Sequence, residues 1–362
     1  MKTYRQILLI SIFIFLELIL AFSIAGYFLF LHHYKGTYID NPWYETDTFD
    51  LNNFATVQKQ KGKDFVILNL ADVQIRDLNS VKTKNTIREE IDYLIKKVKP
   101  DMITLTGDQT WSNENLLSLK QIINWLDSYK IPYAPIFGNH DYGDTKNSST
   151  AELNFCCDLY ESSQYCLFSR GPSNLGSLGN YVINIMEEGK IYKTLYMLDS
   201  GYEDKISDQQ INWFKWNAEG IKNANGGSYT DSICFMHKPL PEYKIAYNRY
   251  IWGDTDVEAV GEVYRYYSLN GSSQNGFFDI AKQSGVTDIV CGHQHGNNFT
   301  LKYQNVRLTF ALKTGQLVGY YSDETVNLNG ATSFVLNEDV SIINNYVDAD
   351  EFVISGANNI AE

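Results

Sequence analysis

The sequence predicts an α/β domain, and three observations carry that reading. Short apolar runs alternate with amphipathic helical stretches from residue 64 to residue 137. Polar residues that bind cations follow the ends of five separate apolar runs. Four of the six histidines fall inside short motifs at those ends. Asp72, Asp108, Asn139, His237 and His293 each sit one to two residues beyond an apolar run. In open α/β sheets, the edge formed by the carboxyl ends of the strands is where ligands bind.

Taken in order, residues 65–70 are a short apolar run of the kind a buried strand shows. Ile87, Ile91, Leu94, Ile95 and Val98 then recur at helical spacing. Residues 102–105 form the next strand, and Leu116, Leu119, Ile122, Ile123 and Leu126 mark a second amphipathic helix. Residues 133–137 close a β-α-β-α-β series, which implies a largely parallel sheet with crossover helices. Residues 144–180, rich in Ser, Asn and Gly, read as a surface insertion. Residues 181–185 and 194–198 read as strands around a turn at Glu188-Gly189. Ser207 is a plausible N-cap for a helix carrying Ile211, Trp213, Phe214 and Ile221. Residues 233–236 and 288–291 are further strands. After His295 the runs at 299–303, 306–310 and 332–336 are strand-like with no helix between them.

The chain has 362 residues and a formal net charge of −13. The acidic balance argues against nucleic acid, which selects basic patches. It leaves phosphate-bearing small molecules open, because bound metals invert the local sign. Nothing in the sequence predicts a protein partner. Residues 7–31 are an almost unbroken apolar run, interrupted by Glu17, and long enough to cross a bilayer as a helix. Lys2 and Arg5 precede it, which keeps the N-terminus cytosolic and places the rest across the membrane. A cleaved signal peptide is the competing reading, but its apolar region runs only about 7–15 residues. The expected organisation is therefore a cytoplasmic start (1–6), a signal anchor (7–31), a linker (32–60), a catalytic domain (61–348) and a tail (349–362). The alternative is a secreted protein. Sequons at Asn147, Asn270 and Asn298 agree with an extracellular or luminal domain and a glycoprotein. Cys166 is close enough in sequence to Cys156 and Cys157 to pair with one of them in an oxidising compartment; three free thiols are the alternative. Cys234 and Cys291 lie in strand-like runs and read as buried core residues.

The chemistry lies in Asp72-Val73-Gln74, Gly107-Asp108, Gly138-Asn139-His140-Asp141, Met236-His237 and Gly292-His293-Gln294-His295. Histidine, aspartate and asparagine without cysteine make a nitrogen and oxygen ligand set, suited to manganese, iron or zinc. Two metals about 3.5–4 Å apart clamp a phosphoryl group for in-line displacement. One ligand must be shared, and Asp108 is the candidate bridge.

On these residues the chain resembles the calcineurin-like metallophosphoesterase superfamily, whose pattern is D-x-H, G-D, G-N-H-[D/E], H and G-H-x-H in that order. The resemblance covers roughly residues 64–320. It implies a two-sheet αββα sandwich and two metal ions. It places Asp72, Asp108 and His295 on one metal, with Gln74 where the family has histidine. It places Asp108, Asn139, His237 and His293 on the other. His140 becomes the catalytic residue that contacts phosphate or protonates the leaving oxygen, with Asp141 orienting it. Residues 237–243, 275–278 and 312–315 resemble the single-domain purple-acid-phosphatase-like branch. True purple acid phosphatases have a tyrosine ligand three residues after the G-D aspartate, and here that position is Trp111.

The function the resemblance implies is hydrolysis of phosphate monoesters outside the cytosol. Phosphodiester hydrolysis, including acid-sphingomyelinase-like cleavage of lipids, is the alternative within enzymes. A catalytically inactive, membrane-anchored binding or scaffold protein is the alternative from another class, and Gln74 favours it. Asp199 reads as structural. Lys238 and Arg249 read as solvated surface, and the tyrosines between 243 and 267 as packing.

Overall fold

The computed structural model of the chain describes residues 2–33, 36–112, 116–142, 150–201, 205–265, 269, 276–315 and 329–347. The first element is the helix α1 (Lys2–His33), whose stretch Tyr4–Gly26 is long and apolar enough to cross a membrane.

The strands and helices of the domain follow as β1 (Ala55–Gln58), β2 (Phe65–Leu70), α2 (Val81–Val98), β3 (Met102–Thr106), α3 (Leu116–Tyr129), β4 (Tyr133–Ile136) and α4 (Thr150–Glu161). Then come β5 (Tyr181–Glu187), β6 (Lys190–Met197), α5 (Asp208–Ala224), β7 (Ser232–Met236), α6 (Pro241–Ile251), β8 (Val257–Ala259) and β9 (Tyr264–Arg265). The series ends with α7 (Phe277–Gln283), β10 (Val286–Cys291), β11 (Asn297–Tyr303), β12 (Val306–Phe310), β13 (Gly330–Leu336) and β14 (Val340–Tyr346).

Two mixed sheets result. One runs β14-β13-β2-β3-β4, and the other β1-β5-β6-β7-β10-β12-β11-β8, with β9 also pairing β11. Within them β2, β3 and β4 are mutually parallel, as are β6, β7, β10 and β12. Alternation along β7 shows how the layers assemble. Ile233 and Phe235 enter the core shared with the five-stranded sheet, where Phe235 meets Phe334 edge to face with centroids 6.0 Å apart. Cys234 and Met236 join the second core under α5, α6 and α7. A strand buried on both faces needs a continuous apolar run, and Ser232–Met236 supplies one. With helices covering both outer faces, this is the αββα sandwich. Ser207 caps α5 as expected, in a full capping box with Gln210.

Several sequence readings are corrected. The stretch 144–180 is no surface insertion over its described part, since α4 packs Leu153, Cys156, Cys157 and Tyr160 into the core. Their spacing of three, four and seven is helical. The stretch 32–60 is not wholly a linker. β1 adds to the nine-stranded sheet beside β5, and Trp43 is clamped by two bonds to Asn174. No disulfide forms among the five cysteines, of which all but Cys166 are fully buried. Asn298 is buried and donates from Nδ2 to the Tyr346 hydroxyl at 2.6 Å, so its sequon is closed by packing. The sequons at Asn147 and Asn270 and the tail 349–362 lie outside the described residues.

Candidate metal centre

Parallel strands in both sheets end on one edge, and all nine residues singled out for chemistry stand there. Asp72 and Gln74 follow β2, Asp108 follows β3, Asn139 to Asp141 follow β4, His237 follows β7, and His293 and His295 follow β10. The two sheets are stitched together at this point. His237 Nδ1 lies 2.8 Å from the carbonyl of Thr106 across the sandwich, and the His293 amide donates to both oxygens of Asp72 at 3.1 and 3.0 Å.

Backbone shape delivers these side chains. Asp72, Gln74, Asp108 and His293 all have positive φ, between 51° and 71°. Left-handed conformations are uncommon for residues other than glycine, and strain of this kind collects at functional sites. Two glycines permit the crowding. A Cβ on Gly138 would lie 2.2 Å from Asp108 Oδ1, and one on Gly107, itself at φ +87°, would lie 2.5 Å from His237 Nδ1.

The donor set converges as a cation site requires. A carbonyl only accepts, so His237 must donate from Nδ1 to Thr106, which turns Nε2 toward the site. There it meets Asn139 Oδ1 at 3.1 Å and Asp108 Oδ1 at 3.4 Å. Ligand atoms of Asp108, His237 and His293 lie within 4.8 Å of one another, and so do those of Asp72, Asp108 and His295. Asp108 is common to both groups, as a bridging ligand must be. Gln74 donates from Nε2 to Asp108 Oδ2 at 3.2 Å, while its buried Oε1 has no hydrogen-bond partner. That orphaned oxygen and the convergent lone pairs fit two metal ions.

The electrostatics agree. Burial opposes ionisation of Asp108, but the facing charge of His237 outweighs it and holds the carboxyl far below its usual range. Burial likewise opposes charge on His237, yet Asp108 and Asp72 push that imidazole up to about 9. A proton there supplies the positive charge that a bound cation would supply. His293 goes the other way, down to about 3, through burial and the charges of His237 and Lys238. Lys238, expected at the solvated surface, is thus buried beside the site. Arg249 is partly exposed and paired with Asp254 at 2.6 Å. Tyr243 is core, donating to the Ile289 carbonyl at 2.7 Å, and buried Asp199 is bonded by the Tyr142 hydroxyl.

His140 stands at the rim, with Nε2 4.0 Å from Asp108 Oδ2. The expectation that Asp141 orients it is corrected. The Asp141 carboxylate instead accepts from the amides of Gly138 (2.9 Å), Thr110 (3.1 Å) and Gln109 (3.4 Å). It thereby joins the loops after β3 and β4, and burial first, then the nearby Asp108 charge, raises it to about 7. The ring of His140 is held by Trp111, whose carbonyl lies 3.0 Å from Nδ1 and whose indole stacks on the imidazole at 4.5 Å. Sequence reasoning noticed Trp111 only as an absent tyrosine, and it missed Arg76, whose guanidinium lies 4.0 Å over that indole.

Fold and site together define a two-sheet scaffold with a histidine and carboxylate cluster able to hold cations on its strand-end edge. The chain belongs to the calcineurin-like phosphoesterase family, whose model matches residues 65–297. It is 22% identical over 298 residues to the probable inactive purple acid phosphatase 29 of Arabidopsis thaliana, covering 71% of this chain and 74% of that one. It is 25% identical over 244 residues to the phosphatase DCR2 of Saccharomyces cerevisiae, covering 61% of this chain but only 39% of that longer protein. A dimetal phosphatase from Danio rerio superposes with a TM-score of 0.46 at 11% identity, over 76% of this chain and 93% of that structure.

Proposed function

We propose that this chain is a dinuclear-metal hydrolase of phosphate monoesters, anchored by α1 with its catalytic domain outside the cytosol. The observation that carries the reading is the sharing of Asp108 between two convergent ligand groups. Asp72, Gln74, Asp108 and His295 would hold one ion, and Asp108, Asn139, His237 and His293 the other. When bound, two such ions supply Lewis acidity toward the phosphoryl group and an acidified water. The chain's own residues do the rest. Thr106 fixes the tautomer of His237, so that its Nε2 lone pair faces the site. The His293 amide and the His140 amide, the latter 2.9 Å from Asp108 Oδ1, orient the two carboxylates. His140, with Nε2 4.0 Å from Asp108 Oδ2, would protonate the leaving oxygen.

The test is a phosphatase assay on the purified chain with manganese, zinc or iron. It compares p-nitrophenyl phosphate with bis(p-nitrophenyl) phosphate and includes Asp108→Asn. Metal-dependent turnover of the monoester, lost in the variant, is the expected result. Preference for the bis ester moves the assignment to a phosphodiesterase. A second reading rests on Gln74: its amide ties up an Asp108 oxygen, and imidazole binds metal more strongly than an amide oxygen. On that reading the chain is an inactive scaffold, as the Arabidopsis relative's name says of that protein. A folded chain with under one ion bound and no turnover establishes it.

A further inference from the structure

The device that aims His140 is built from a residue the family pattern does not include. The segment 108–111 is fixed at every step. Asp141 binds the amides of Gln109 and Thr110, and the Trp111 amide donates to the Ile75 carbonyl at 3.1 Å. Trp111 is therefore presented in one orientation, and it grips His140 twice. Its carbonyl can only accept, so His140 Nδ1 carries a hydrogen toward it at 3.0 Å, which directs Nε2 to the site. Its indole lies 27° from the imidazole plane at 4.5 Å and sets the tilt of the ring. The Arg76 guanidinium, 4.0 Å from the indole, holds that wall in place.

We propose that Trp111 is the positioning residue of this site, stacking His140 into the geometry for protonating a leaving alkoxide. The site is then built for alkyl phosphate monoesters, whose poor leaving groups need that acid, while activated aryl esters are turned over without relying on it. The inference rests on the phosphoesterase reading above. In the step it serves, the oxygen of a water bonds to phosphorus and that water's proton leaves to solvent. The ester P–O bond breaks, its electron pair goes to the leaving oxygen, and that oxygen takes the Nε2 proton of His140 in its doubly protonated form, which leaves a neutral imidazole with its hydrogen on Nδ1. An alkoxide needs this proton, whereas a p-nitrophenolate leaves readily without it. The accuracy with which Nε2 is held therefore decides the rate on alkyl esters and matters little for activated aryl esters.

The experiment compares glycerol phosphate with p-nitrophenyl phosphate in the metal-loaded full chain, for the wild type, Trp111→Leu and Trp111→Phe. Leucine fills space without stacking, phenylalanine restores a stacked ring, and all three keep the backbone carbonyl. Trp111→Leu is expected to lose about ten- to a hundredfold in kcat on glycerol phosphate and no more than about threefold on the aryl ester, and Trp111→Phe to recover most of the loss. A second measurement needs no metal. The His140 Cε1–H proton resonance, assigned with His140→Gln, is shifted by the indole ring current. It should move in Trp111→Leu and move back toward the wild-type position in Trp111→Phe. Equal losses on both esters, no loss on either, or an unmoved resonance overturns the proposal. A wild type inactive on every ester but with the ring-current shift intact brings down the phosphoesterase reading while leaving the stack established.

Discussion

Two polar clusters in this molecule each bring carboxylates against nitrogen bases and behave in opposite ways. Around Arg170, the guanidinium is saturated. Nε and Nη2 bind Glu161 at 3.1 and 2.5 Å, Nη2 binds Asp158 at 2.6 Å, and Nη1 binds the Thr37 carbonyl at 2.6 Å. At the strand-end edge, three site carboxyl or amide residues and His293 are held in left-handed backbone, ligand atoms crowd one another, and the buried Gln74 oxygen has no partner. A cluster whose valences are filled by the chain itself serves to hold the chain, here α4 to residues before β1. A cluster that is strained and left incomplete serves something the chain lacks. Buried charge alone does not distinguish them, but satisfaction of hydrogen bonds does.

The sharpest break in this comparison comes from substituting one residue in each cluster. Asp108→Asn is expected to lower kcat by about a thousandfold or more while the chain stays folded, because the bridging charge goes but the size of the side chain and one acceptor oxygen remain; steady-state kinetics beside a thermal melt check both halves. Arg170→Ala should do the reverse. It leaves Asp158 and Glu161 without their cation, and since these are partly exposed the cost is about 2–3 kcal/mol in unfolding free energy, with kcat per folded molecule within about twofold of the wild type.

Glu90 offers a pH test of a third buried charge. Burial raises it to about 7 against the Gly315 amide and Lys313, which lower it. A carboxyl with a raised folded pKa contributes stability that is complete below its unfolded value near 4.5 and lost as pH rises to about 7. Glu90→Gln should therefore remove up to about 3 kcal/mol of that decline, read as a flatter plot of unfolding free energy against pH; an unchanged slope contradicts the assignment. Chelation should cost about 3 kcal/mol if ions are present at a hundredfold above their dissociation constant. A melt with and without chelator measures this, and the same experiment on Asp108→Asn should show a smaller difference. The smallest effect expected is from Gln74→His, which tightens one ion by about tenfold, read by metal competition.

Much of the fold was legible. The βαβαβ run and the later strands appear where the apolar periods put them, because a strand buried on both faces must be apolar throughout and a helix on a sheet must be apolar on one side. The α4 helix was missed although Leu153, Cys156, Cys157 and Tyr160 carry a helical stripe; the Ser- and Asn-rich residues before and after it diluted the signal. Lys238 was misplaced because nothing local marks a lysine as buried; only the packing after β7 covers it.

What the sequence by itself determined is the list of groups and their edges. The motifs past the first three runs share one edge when those runs become parallel strands, and the motifs past the last two share another, since a parallel sheet puts like ends together. What the tertiary structure alone decided is how those groups face one another. The left-handed turns at Asp72, Gln74, Asp108 and His293, the bond from His237 to Thr106 in the opposite sheet, the diversion of Asp141 to loop amides and the grip of Trp111 on His140 all depend on contacts between residues far apart in sequence. Spacing along a chain carries no record of such contacts, because their geometry is set by how two sheets pack and which lone pairs that packing leaves unfilled.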